Sequence, residues 1–228
     1  MCKGIFVTGT GTDVGKTYVT GIIVKKLREA GYRSGYYKAA LSGAMLIEDR
    51  LVPGDCKDVV ETAGLVDTPE SLVSYIYQTP VSPHLAAKLE GRPVEMEVIQ
   101  QDFANIKERF DYITVEGSGG IVCPLRLDHE TILLEDVILA LGLDILIVSD
   151  AELGSINRAV LTVAYAKQRG IGVKGILLNG YDESNDLHRD NRQVIEQLTG
   201  VPVLACIERG ARELKIEISA LLAQYQEV

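Results

Sequence analysis

Gly9-Thr10-Gly11-Thr12-Asp13-Val14-Gly15-Lys16-Thr17 follows the apolar run Gly4-Ile5-Phe6-Val7-Thr8 and leads straight into a helical pattern. A strand, a glycine-rich loop and a helix in that order make a phosphate-binding loop. Backbone N–H groups and the helix N-terminus surround the anion, a lysine reaches the terminal phosphates, and a threonine hydroxyl holds magnesium. The spacing is irregular, because the usual pattern leaves four residues between its first glycine and Gly-Lys-Thr, and that slot falls on Thr10. A nucleoside triphosphate is the expected ligand. Glu116 ends another apolar run and is followed by Gly117-Ser118-Gly119-Gly120, which delivers a carboxylate beside backbone that a ligand can approach closely. Mg²⁺ takes oxygen ligands in octahedral geometry, normally one or two carboxylates with phosphate oxygens and water. Thr17 and Glu116 supply two such ligands, and either Asp55 or Asp58 a third. Lys38 ends the second expected strand, with Ser42 four residues later; there its ammonium would neutralise charge on a transferred phosphoryl group or hold an anionic acceptor. Asn179-Gly180-Tyr181-Asp182 follows a late strand, and an asparagine amide both donates and accepts toward a base edge. No lysine follows Asn179, which favours adenine over guanine. Among the histidines His84, in Ser82-Pro83-His84, is the most suggestive, while His129 and His188 are expected at the surface.

These groups must be positioned by a sheet. Runs rich in β-branched residues recur at 4–8, 34–38, 112–116, 144–149, 174–179 and 202–206, separated by amphipathic stretches. That alternation predicts an α/β fold of the P-loop type, with a mostly parallel central sheet and helices on both faces. Residues 111–115 and 144–148 are apolar through most of their length, as expected of strands covered on both sides. Helices are predicted at 16–30, with Val19, Ile22, Ile23 and Leu27 on its core stripe, and at 155–170, with Ile156, Val160, Val163 and Ala164. Two more are expected at 185–199 and 211–225. Residues 41–69 are punctuated by Gly and Pro and read as a loop with a short helix near 55–62. No linker or repeat divides the chain, so one domain over 1–228 is expected.

With 46% hydrophobic residues among 228, the chain has ample material for a core. Its net charge of −9 argues against a nucleic-acid surface, which needs a broad basic field. No charged segment precedes an apolar one at the start, and no apolar run approaches the roughly 20 residues that span a bilayer. A soluble cytoplasmic protein without a membrane partner is expected. The four cysteines are scattered without a C-x-x-C pair, which favours free thiols over disulfides or zinc.

Taken in order, these residues resemble the dethiobiotin synthetases, ATP-dependent ligases of biotin biosynthesis, over nearly the whole chain. The family's Gly-Thr-x-Thr-(Asp/Glu)-Val-Gly-Lys-Thr matches residues 9–17, including the additional residue that breaks the usual spacing. Tyr37-Lys38 with Ser42-Gly43, Ser82-Pro83-His84, Val115 to Gly120 with Pro124-Leu125, Leu153 to Asn157 with Leu161-Thr162, and Asn179 follow in register. The resemblance implies that 7,8-diaminononanoate and CO₂ form a carbamate, which attacks the γ-phosphate of ATP before ring closure releases phosphate. It implies Lys38 and Lys16 as catalytic residues and Thr17, Asp55 and Glu116 as magnesium positions, which selects Asp55 over Asp58. The nucleotide site it implies comprises Asp13, Val14, Gly15, Lys16, Thr17, Tyr18, Asp55, Glu116, Gly117, Ser118, Gly119, Asn179 and Gly180. Thr12, Lys38 and Ser42 would contact substrate, and in the family's homodimer Gly154, Ser155 and Asn157 would reach substrate bound to the other subunit. The sequence departs from the family at Gly11, where Asp is usual, at Gly180, where Asp is common, and at Ile207-Glu208-Arg209, which replaces an Ile-Pro segment.

A nucleotide-switch ATPase of the partition or positioning type is the competing reading. Such proteins place a second lysine early in the loop, and none lies between Gly9 and Gly15. An amide-forming relative would need a glutaminase module, for which the chain has no evident room.

Overall fold

A computed structural model describes residues 1–228. The chain runs β1 (Lys3–Gly9), α1 (Lys16–Glu29), β2 (Ser34–Leu41), β3 (Met45–Ile47), β4 (Arg50–Val52), α2 (Gly54–Ala63), β5 (Val73–Ile76), α3 (Pro83–Leu89), α4 (Met96–Lys107) and β6 (Tyr112–Gly120). It continues through β7 (Pro124–Leu127), β8 (Thr131–Leu133), α5 (Leu134–Ala140), β9 (Ile145–Asp150), α6 (Ser155–Gln168), β10 (Val173–Asn179), α7 (Asp186–Thr199), β11 (Val203–Ile207), α8 (Ile218–Leu222) and β12 (Gln226–Glu227). The main sheet has the order β11-β10-β9-β1-β6-β2-β5, with every neighbouring pair parallel and β12 joining β1 antiparallel.

The apolar runs sit in the sheet because both of its faces are covered. On β1, Phe6 belongs to the core shared with α4, α5 and α6, whereas Ile5 and Val7 join the opposite core under α1. Alternate side chains thus enter opposite cores, which is why these strands read as continuous rather than alternating hydrophobic segments. All six expected strands are present, and β5 adds an edge next to β2.

Four expectations are corrected. The strand expected to end at Glu116 continues as β6 to Gly120, because β1 runs alongside and pairs Gly9 with Gly120. The helix expected at 211–225 shrinks to α8. Upstream of it the carbonyls of Ala211 and Arg212 accept from the Tyr18 hydroxyl and Lys25 Nζ, so tertiary side chains use acceptors that a helix would need. On α6 the buried stripe is Ser155, Ala159, Thr162, Val163 and Ala166, while Ile156 and Val160 are half-buried and Ala164 is exposed. His188 is buried, accepting at Nδ1 from the Asp182 N–H at 2.9 Å. No helix is long and apolar enough to cross a membrane.

Candidate active site

Because β1, β6 and β2 are adjacent and parallel, their carboxyl ends deliver the phosphate-binding loop, Glu116 and Lys38 to one edge. Register sharpens this: Lys38 lies directly opposite Glu116. The loop between β1 and α1 ends on Gly15, left-handed at φ 88°, and Asp13 is also left-handed at φ 60°. A Cβ at position 15 would lie 2.1 Å from Asn179 Nδ2, so both conformation and space demand glycine there. Asn179 donates through Nδ2 to the Val14 carbonyl at 3.0 Å and braces the loop from the end of β10. Lys16 Nζ donates to the Gly11 carbonyl at 3.0 Å.

The centre of the site is a charge cluster. Lys38 Nζ donates to Asp55 Oδ2 at 2.7 Å and to Glu116 Oε1 at 2.9 Å. Glu116 Oε1 also accepts from Thr17 Oγ1 at 2.7 Å, and its other oxygen accepts from Tyr36 Oη at 2.8 Å. The side chains of Lys38 and Glu116 are 3% and 0% exposed and that of Asp55 45%. A buried ion pair survives only when hydrogen bonds satisfy the remaining lone pairs, and here both Glu116 oxygens are satisfied. Burial opposes the charge on Lys38, but Glu116 and Asp55 outweigh it and hold the ammonium above the ordinary lysine range. Burial likewise opposes the charge on Asp55, yet Lys38 holds its carboxyl below the usual value. Lys16, buried and facing the Lys38 charge, is pulled below the ordinary lysine value. Burial pushes the Cys56 thiol up to about 12, so it stays protonated near neutral pH.

Around this cluster opens a cavity of 930 Å³. Of the expected residues, Thr12, Asp13, Gly15, Lys16, Thr17, Tyr18, Lys38, Ser42, Asp55, Glu116, Gly117, Ser118 and Gly119 line it. Ser42 donates to the Val81 carbonyl at 2.5 Å, which brings the rim at Pro80 to Pro83 over the site. Asp58 lines the cavity too, but Asp55 alone of the two meets Lys38. Val14, Asn179, Gly180, Gly154, Ser155 and Asn157 lie outside this cavity. His84 faces a separate 370 Å³ cleft with Lys88 and Arg126. Tyr36 went unnoticed in the sequence, although strand alternation places it on the same side of β2 as Lys38.

Residues 3–212 match a family described as an AAA domain. A protein of Clostridium botulinum (strain Alaska E43 / Type E3), named ATP-dependent dethiobiotin synthetase BioD, is 49% identical over 225 residues covering 99% of each chain. One of the same name from Clostridium novyi (strain NT) is 51% identical over 92% of this chain and 88% of its own. The chain belongs to the dethiobiotin synthetase family. Among solved structures, the MinC:MinD cell division protein complex of Aquifex aeolicus matches with TM-score 0.56 and 18% identity over 91% of this chain and 81% of that one. A ParA family ATPase from Chlorobium tepidum TLS matches with TM-score 0.56 and 17% identity over 98% and 90%. At those identities the likeness extends to the P-loop fold and no further. Use of a nucleotide follows from the family and from the loop.

Proposed function

We propose that the chain, acting as one domain over residues 1–228, joins CO₂ to 7,8-diaminononanoate at the expense of ATP and closes the product to dethiobiotin. The observation that carries this reading is the Lys38 ammonium, held by Glu116 and Asp55 in the same cavity as Lys16 and the phosphate-binding loop. One amine of the substrate adds to CO₂ and loses a proton, giving a carbamate. A carbamate oxygen attacks the γ-phosphorus, the bond to the β-phosphate oxygen breaks, and ADP leaves. The second amine attacks the carbonyl of the mixed anhydride and expels phosphate, and the loss of its proton leaves a cyclic urea.

The protein's contribution is position and charge. Lys16 and Lys38 present ammonium groups to the carbamate and the transferred phosphoryl oxygens, where negative charge must be brought together. Thr12 and Ser42 would hold the diamine end, and Asn179 with Gly180 the adenine. One N–H of the Asn179 amide is used on Val14, which leaves its Oδ1 as an acceptor for an exocyclic amine and its second N–H as a donor.

The donor set fits magnesium. A hydroxyl and two carboxylates, all hard oxygen ligands, gather in one place: Asp55 and Glu116 accept from the Lys38 ammonium, and the Thr17 hydroxyl donates to the same Glu116 oxygen. These three would hold Mg²⁺, which when bound neutralises charge across the β- and γ-phosphates.

The functional unit in this reading is a cytoplasmic homodimer. Val122, Leu153 and Leu161 are 56%, 82% and 60% exposed, and Val122 and Leu161 flank an apolar cleft of 500 Å³. Pairing through this face would carry Gly154, Ser155 and Asn157 toward the other subunit's substrate. The test is phosphate release from Mg-ATP with bicarbonate, with and without 7,8-diaminononanoate, and the mass of the organic product. Diamine-dependent release with a product of dethiobiotin mass is expected; release indifferent to the diamine refutes the reading.

A further inference from the structure

Glu116 has one oxygen turned to the cavity and one turned away from it. Oε1 accepts from Thr17 and Lys38, both of which line the cavity, whereas Oε2 accepts from Tyr36, which does not. The Tyr36 ring is 0% exposed and belongs to the core formed with Val24, Cys56, Val59 and Leu72. Cys56 Sγ donates to the phenol oxygen at 3.7 Å, which leaves the phenol hydrogen for Glu116. If the carboxylate turned so that both oxygens faced the cavity, it would lose a charge-assisted hydrogen bond. The phenol would then keep only a weak thiol contact.

Given the proposed magnesium role of Glu116, we propose that Tyr36 is a positioning residue that makes Glu116 a one-oxygen ligand and so sets the site's preference among divalent cations. The chemistry that distinguishes those cations is coordination. Mg²⁺ demands near-ideal octahedral geometry with few protein ligands, whereas Ca²⁺ accepts six to eight oxygens and takes carboxylates through both. A carboxylate pinned at one oxygen suits the first ion and handicaps the second. Partners that orient a metal ligand are commonly worth about 10–100-fold in metal affinity.

The experiment is calorimetric titration of ADP into the full chain in MgCl₂ or CaCl₂, comparing wild type, Tyr36→Phe, Glu116→Gln and the double variant. Wild type is expected to bind ADP more tightly with Mg²⁺ than with Ca²⁺, and Tyr36→Phe to lose about 10-fold with Mg²⁺ but much less with Ca²⁺. In the Glu116→Gln background the Tyr36 substitution should add no further loss. Wild-type Mg²⁺ dependence in Tyr36→Phe, equal losses with both ions, or an undiminished loss in the Glu116→Gln background would each overturn the proposal. So would equal support of wild-type binding by the two ions, a result that needs no variant. Should Tyr36→Phe not fold, the wild-type comparison of the two ions still decides the question. The two readings fail separately, because absence of dethiobiotin formation refutes the proposed reaction while cation-dependent ADP binding still reads the role of Tyr36.

Discussion

Replacing Lys38 with methionine removes a charge while keeping most of the side-chain volume, and two consequences can be sized. The first is stability. Removing one partner of a buried ion pair commonly costs about 3–5 kcal/mol, because the other is left uncompensated. Glu116 is fully buried but keeps the hydrogen bonds from Thr17 and Tyr36 at 2.7 and 2.8 Å. Asp55 is nearly half exposed, so water replaces the ammonium there and little is lost. The low end of the range, about 3 kcal/mol, is therefore expected, and for a chain of this size that lowers Tm by roughly 6–12 °C. The second consequence is catalytic. Loss of one preorganised charge at a transferred group costs about 10²–10³-fold in kcat. ADP binding should persist, because the backbone of the phosphate-binding loop and Lys16 are untouched. Thermal unfolding in metal-free buffer, ADP titration and dethiobiotin formation measure the three. Wild-type turnover in Lys38→Met would remove Lys38 from the mechanism, and an unshifted Tm would show that the cluster is not coupled to folding.

Lys16 lies below the ordinary lysine value because burial and Lys38 disfavour its charge. A bound polyphosphate favours that charge, so binding should take up a proton once the free enzyme begins to lose it, and affinity should weaken as pH rises. Calorimetry of ADP binding at about pH 9 in two buffers of different ionisation enthalpy should show net proton uptake, against the unperturbed lysine value of about 10.4; no uptake, or release, contradicts the assignment. Leu161→Glu should convert a dimer to a monomer by light scattering and abolish dethiobiotin formation while leaving ADP binding intact. A monomeric wild type, or a dimeric and active variant, counts against pairing through this face.

Much of the scaffold is legible because local and tertiary signals agree. The six apolar runs are all strands; β1, β2, β6 and β9 are buried on both faces while β11 at the sheet edge alternates buried and half-buried residues, and Gly-Lys-Thr after the first run places the loop. The readings that fail do so where a distant side chain intervenes. Tyr18 and Lys25 take the carbonyls of Ala211 and Arg212, and no periodicity within 211–225 reports that. His188 sits among polar residues of α7 yet is buried, where it accepts from the Asp182 N–H in the turn after β10. On α6 the apolar residues outnumber the core positions, and the surplus at Leu161 and Ala164 faces outward, where composition cannot distinguish an interface from a core. Tyr36 is hidden differently, because a tyrosine in a buried strand reads as packing until its hydroxyl is seen on Glu116.

The division of labour within the site follows from which features belong to the fold and which to this chain. Likeness to the MinD complex and the ParA family ATPase at 17–18% identity means that the parallel sheet accommodates very different sequences. A competing switch-type reading is therefore not addressed by the sheet at all. It is decided by the relatives 49–51% identical over nearly the full chain, and it has a physical counterpart between β2 and α2. Register places Lys38 opposite Glu116, and α2 begins at Gly54 so that Asp55, in its first turn, meets the same ammonium from the other side. A buried cluster of Lys38, Glu116 and Asp55 is not needed to stabilise this fold, since replacing all members of such a cluster by apolar residues of similar volume is commonly neutral, even though removing the lysine alone is costly. In the proposed reaction Lys38 delivers charge to a reacting group, and its two carboxylate partners keep it protonated and in place.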